Sequence, residues 1–222
     1  MADISLRELN RIAREIEASP PDERGDVSKV EFNWLYTPGE PLHPLKKQEG
    51  DMAKFFMRFM SCFVTENFSR TDATTHVHNH PSGNVKPTLE DLNLLLGGAS
   101  RNKNLSAALI ASTRSGAVKG FYELNYNGKR SKAASSIESN LDIYRVYLNR
   151  KYDLLKRNPE LRAKMNIGEN VLSPTEYFAM VSEAMDSSYI TGRPRPLKSY
   201  RFENWGFVPE QRIETRTAHH YI

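Results

Sequence analysis

A single cysteine, Cys62, stands in 222 residues, which excludes an internal disulfide framework. It lies among Phe59, Met60 and Phe63, a setting for a buried, inert thiol rather than a nucleophile. No uninterrupted apolar run reaches the roughly 18 to 20 residues of a membrane span, so no membrane contact is expected. The start, Met1-Ala2-Asp3-Ile4-Ser5, has neither the basic opening nor the apolar stretch of a secretory signal, and the expected location is intracellular, in the cytoplasm. Internal repeats are absent as well, which excludes a solenoid. The net charge is only +4, but it is uneven: residues 1–126 carry 15 Lys/Arg against 16 Asp/Glu, and residues 127–222 carry 16 against 11. That surplus suits an acidic partner or nucleic acid, or is a well-solvated helical surface.

Against this background the periodic segments define an α/β chain. Ser5 and Glu8 have the spacing of a capping box, and Leu9, Ile12, Ala13 and Ile16 follow as one helical stripe. Val27 to Tyr36, rich in β-branched and aromatic residues, reads as a strand, and a short strand is expected within Leu42 to Lys46. Met52, Phe55, Phe56, Phe59, Met60 and Phe63 mark a strongly amphipathic helix. Thr74 to His80 reads as a strand. Thr88 to Leu96 reads as a helix, with Gly97-Gly98 as its stop signal. Two strands, Leu105 to Thr113 and Ala117 to Tyr126, meet at Ser115-Gly116. The order predicts one mixed β-sheet flanked by helices over residues 1–126.

Residues 127–189 read as a helical region: a long helix from Ser135 to Arg157, a short one near Pro159 to Met165, and a third opened by the Ser173-Pro174-Thr175-Glu176 cap. Residues 190–222 read as an extended tail, aperiodic and rich in arginine, proline and aromatic residues, that is either disordered or ordered on a partner. Arg193, Arg195 and Arg201, interleaved with Tyr200, Phe202 and Trp205, fit a protein partner better than nucleic acid. The basic run Lys129-Arg130-Ser131-Lys132 reads as a solvated loop, and His219-His220 as incidental.

The chemistry concentrates in "HVHNHPSGNVKPTLED", residues 76 to 91. On a strand, His78 and His80 project from the same face, close enough for both imidazoles to reach one ion. The chain then turns, Thr88 caps a helix, and Asp91 falls at its third position, able to face back toward the histidines. Two imidazoles and a carboxylate with a fourth position open make a catalytic zinc arrangement, in which the metal lowers the pKa of a water to about 7 and polarises a carbonyl. A non-haem iron site uses the same donors. Taken alone, Thr88 and Asp91 are an ordinary cap; it is the conjunction with His-x-His, proline and a glycine turn that points to a metal.

The stretch "HNHPSG…PTLED" resembles the signature of the JAB/MPN/JAMM metalloprotease family: His-x-His-Pro, then Ser-x-x-Asp, with thirteen positions from first histidine to aspartate. His78 to Asp91 is thirteen. The wording is most similar to the RadC-like branch, and the resemblance covers residues 5–126. It implies a JAB/MPN-like sheet, with His78, His80 and Asp91 binding zinc. Thr88 stands where the family usually has the serine that holds the oxyanion. His76, a third histidine on the same face, reads as a structural neighbour of the ligands rather than a ligand itself. The family also uses an upstream glutamate as general base. Glu31 fits best, in "EFNWLY"; Glu23 in "PPDERG" is the rival, and Glu40 and Glu49 are loop candidates.

The leading expectation is therefore a zinc-dependent peptidase or isopeptidase acting on a protein or peptide substrate, with a ubiquitin-like conjugate as the family's commonest target. Two others remain open. One is a non-catalytic scaffold whose tail binds a protein partner; the other is a RadC-like, DNA-associated protein.

Overall fold

The computed structural model describes residues 4–21, 25–45, 70–140 and 174–210. The Met/Phe helix expected at 52–63 with Cys62, the candidates Glu23 and Glu49, the short helix at 159–165, the Ser173 cap and His219-His220 lie outside the described residues. So does most of the long helix expected over 135–157.

The described residues form a mixed α/β structure: a six-stranded mixed sheet with four helices. In order come α1 (Leu6–Glu17), β1 (Asn33–Tyr36), β2 (His43–Pro44), β3 (Thr75–His80), α2 (Leu89–Arg101), β4 (Ala107–Arg114) and β5 (Ala117–Tyr126). Residues 130–140 are helical (α3), followed by α4 (Pro174–Ser187), β6 (Ile190–Pro196), β7 (Tyr200–Glu203) and β8 (Gly206–Pro209). The sheet runs β2-β1-β3-β4-β5-β6, and β7-β8 is a separate hairpin. β3 and β4 are parallel and all other neighbours antiparallel. A parallel pair needs a crossover, which α2 provides.

Strand alternation divides the core between two faces. Val77, Leu109, Ala111 and Phe121 pack with Leu9, Ile12 and Ile16 of α1. Leu35, Ala108, Ile110 and Leu124 pack with Leu92, Leu95 and Leu96 of α2, with Ala133 of α3 and with Val181 and Ala184 of α4. His76, His78 and His80 alternate with Val77 and so face α2. That shared face is what allows a helix residue to join the histidines.

Several elements differ from the expectation, each for a physical reason. The strand from Val27 begins only at Asn33, because Asp26 folds the preceding chain into a turn. Its carboxylate accepts from the Ser28 backbone and hydroxyl, and its carbonyl accepts from the Lys29 and Val30 amides. Ser5 does cap α1, accepting from the Glu8 amide at 3.2 Å. The Glu8 carboxylate does not close a capping box, because Arg11 and the Tyr36 hydroxyl engage it. Gly97-Gly98 does not stop α2, which continues to Arg101. A Cβ on Gly98 would lie 2.6 Å from Leu105 Cδ2, so this glycine serves close packing rather than termination.

The aperiodic tail is ordered over residues 190–210, and residues 211–222 lie outside the described residues. Residues 190–196 form the edge strand β6, paired with β5 from Gly120↔Pro196 to Tyr126↔Ile190. Residues 200–209 form a hairpin closed at Asn204 and Trp205, both with positive φ (47° and 62°), the geometry of a type I′ turn. The side chains that the sequence reading assigned to a partner are engaged within the chain. Arg193 and Arg195 bind the buried Glu123, Arg201 pairs with Glu203, and Trp205 and Phe202 pack against Tyr122. The ordering surface is the chain's own sheet.

Candidate metal centre

His78 and His80 end β3, where its parallel neighbour β4 and the N-terminus of α2 converge; crevices at the carboxyl ends of parallel strands are the usual ligand sites of such sheets. Thr88 caps α2 as the sequence predicts. Its Oγ1 accepts from the Asp91 amide at 3.2 Å, and the Asp91 carboxylate accepts from the Thr88 amide at 2.7 Å. This reciprocal box fixes the rotamer of Asp91 and turns its other oxygen toward the strand. Asp91 Oδ1 then lies 3.0 Å from His78 Nε2, and Oδ2 lies 3.8 Å from His80 Nε2. The two imidazole Nε2 atoms are 3.2 Å apart.

His78, His80 and Asp91 are therefore one group that can hold a metal ion. The donors fit such an ion: ligands at bonds of about 2.0–2.1 Å to a tetrahedral zinc stand roughly 3.3 Å from each other, close to the separations found. His80 Nδ1 pairs with the Asn84 carbonyl at 2.8 Å. An N–H donated there leaves Nε2 with its lone pair toward the group, the tautomer that a metal ligand needs. Among the described residues, His78 Nδ1 has no hydrogen-bond partner. His78 is fully buried and the Asp91 side chain 5% exposed, whereas the His80 side chain is 15% exposed; an incoming molecule meets the group on the His80 side.

Burial would raise the Asp91 carboxyl, yet the charge and hydrogen bonds of the two imidazoles outweigh it and hold the carboxyl far below the usual carboxylate range. At His80 burial works against the charged form, but Asp91, Glu31 and the Asn84 carbonyl prevail and raise it. His76 differs. Burial first, then the neighbouring His78, pushes it down to about 3, so it is neutral. Its Nε2 pairs with the Asn33 amide oxygen at 2.9 Å and its ring stacks on His78 at 5.1 Å, outside the donor group.

Of the two candidate glutamates within the described residues, Glu31 and Glu40, it is Glu31 that acts on a member of the donor group. Phe32 faces Asn79 through Asn79 N–H to Phe32 carbonyl, and Asn33 is register partner to His78. Continuing that antiparallel register puts Glu31 across from His80 and on its face. The exposed Glu31 carboxylate acts electrostatically on both His80 and Glu90. Glu40 is bonded to Arg70 at 2.6 Å and takes no part in the donor group.

Three residues that the sequence reading did not single out hold the loops of this site. A bulge between Ala111 and Thr113 re-aims β4 beside the group. Ser112 donates its hydroxyl to the Gly83 carbonyl at 2.8 Å, and Thr113 donates to Val27 at 2.9 Å. Asn79, between the two histidines, points to the opposite face and is fully buried there. From the far end of the chain, the Trp205 carbonyl accepts from the Val85 amide at 2.7 Å and clamps the loop between His80 and Thr88. The bulge and the clamp have no local signature; the asparagine in His-Asn-His had one, because a polar residue on a buried strand face needs partners.

No protein-family model, curated protein or solved structure matches the chain. Among the described residues, no helix is long and apolar enough to cross a membrane.

Proposed function

We propose that the chain is a zinc-dependent peptidase or isopeptidase of the JAB/MPN/JAMM type, closest to the RadC-like branch. The observation that carries this reading is the grouping of His78, His80 and Asp91, with His78 and Asp91 buried and His80 partly exposed. Bound there, zinc would polarise the scissile carbonyl and bring a water's pKa near 7. The chain's own residues do the rest. His80 is oriented by Asn84, and Asp91 by the Thr88 cap. Glu31, on the open side, accepts a proton from the attacking water and returns it to the leaving amine. The Thr88 hydroxyl, whose oxygen is held by the Asp91 amide, donates to the developing oxyanion. Zinc is preferred to iron because the His-x-His-Pro wording resembles that of zinc peptidases.

The test is hydrolysis of a panel of peptides and lysine-linked ubiquitin-like conjugates by zinc-loaded protein, with Glu31→Gln and Glu23→Gln alongside. Turnover that falls at least 100-fold in E31Q, with zinc content retained, is the expected result. Loss in E23Q with E31Q active would move the base to Glu23. A zinc-loaded protein that cleaves nothing in the panel would favour the scaffold reading.

A further inference from the structure

We propose that Asn79 is a positioning residue that holds Glu31 against the metal centre; this rests on the reading of Glu31 as the base. Glu31 sits on no regular element: residues 27–30 turn, residues 31 and 32 lie outside any helix or strand, and β1 begins only at Asn33. A base on an unsupported loop would lack the fixed geometry that proton transfer demands. The support comes from β3 itself. The two hydrogens of the Asn79 Nδ2 group are shared among three acceptors, the Val27 carbonyl at 2.8 Å, the Val30 carbonyl at 3.0 Å and the Thr113 hydroxyl oxygen at 3.0 Å. Its Oδ1 accepts from the Phe32 amide at 2.7 Å. Thr113 completes the network by donating to the same Val27 carbonyl.

The partners flank Glu31 on both sides, Val30 before and Phe32 after. All of them meet one amide that is fully buried between the two histidines of the centre. Only an amide can fill this role: it must donate to two carbonyls and accept from an N–H at once, which neither Asp nor Ser does. The same strand thus carries ligands on one face and, on the other, the anchor of the segment bearing the base. Displacing the strand would displace both together, so the distance between metal and base is held constant.

The experiment uses the full chain loaded with Co(II) in place of zinc and follows the visible cobalt band against pH, which requires no substrate. Wild type, Asn79→Ala, Glu31→Gln and the double variant are compared, with cobalt stoichiometry measured on each. The expected result is a shifted profile in E31Q, a shift in N79A, and a double variant that shifts no further than E31Q. Amide exchange at Val30 and Phe32 should rise at least tenfold in N79A. Equal shifts from N79A in the presence and absence of the Glu31 carboxylate would overturn the proposal, as would an N79A profile matching wild type. An unmoved profile in E31Q itself would instead reject Glu31 as the base, and failure of the wild type to take up cobalt would reject the metal centre. Should N79A fail to fold, Thr113→Val removes the second anchor while keeping the branched side chain, and the same comparison applies.

Discussion

Thr88 links helix stability to the metal centre, because one side chain both caps α2 and fixes Asp91. Replacing it by alanine removes the oxygen that accepts from the Asp91 amide. Thr88→Ala should destabilise the metal-free protein by about 1 kcal/mol, the usual value of an N-cap. It should also weaken zinc binding by roughly tenfold or more, as loss of a ligand's orienting contact does. Thr88→Ser keeps the oxygen and should leave both within experimental error. Urea unfolding and a zinc competition titration read the two quantities separately. The donor group was legible at this scale because strand alternation and the helix cap both operate within the fourteen residues from His78 to Asp91. The partners of Asn79 and Ser112 were not, since Val27, Val30 and Gly83 lie 29 to 52 positions away.

Gly98 shows how a tertiary contact overrides a local signal. Two consecutive glycines read as a helix stop, yet Gly98 lies within α2, and its missing side chain leaves room for the fully buried Leu105. Alanine there gains about 1 kcal/mol in helix propensity but puts a Cβ 2.6 Å from Leu105 Cδ2. Overpacking of that severity costs about 1–3 kcal/mol. Gly98→Ala should therefore be net destabilising by about 1 kcal/mol in equilibrium unfolding, the opposite of what an exposed helix would give. The edge strand β6 hides in a similar way: "ITGRPRP" has no alternation of apolar and polar residues. Its prolines are the one clue, since proline in a sheet is confined to edges. What joins β6 to the sheet, beyond its ladder, is charge. Glu123 on β5 is buried and receives Arg193 at 3.0 Å and Arg195. Burial alone would raise its carboxyl, but Arg193, Asn125 and Arg195 together bring it below the ordinary 4.5. A depressed carboxyl contributes stability that is complete above that value and is lost as pH falls through the folded pKa. Glu123→Gln should cost about 2–3 kcal/mol at pH 7, at the lower end for a broken pair because Arg193 is half exposed. The difference from wild type should shrink as pH falls from 5 toward 3, measured by thermal unfolding across that range.

At the scale of the whole molecule, the site depends on segments distant in sequence. The loop from His80 to Thr88 is clamped by Trp205 near the end of the described chain, and Arg195 also donates to the Ile4 carbonyl beside α1. Residues 190–209 are thus part of the framework around the centre and not a separate appendage. Such closure was beyond sequence reading, because nothing within "NWG" indicates that its tryptophan carbonyl meets Val85. An ion bound to the folded chain alone should stabilise all of it together, by about 2.7 kcal/mol at a free concentration 100 times the dissociation constant. Whether an ion binds is consequently the question on which the account depends. The direct measurement is elemental analysis of protein purified without added metal, beside a His78→Ala/His80→Ala variant. About one zinc per chain is expected in the wild type and none in the variant. No metal in either protein, even after zinc is offered, would contradict this expectation, as would equal metal in both.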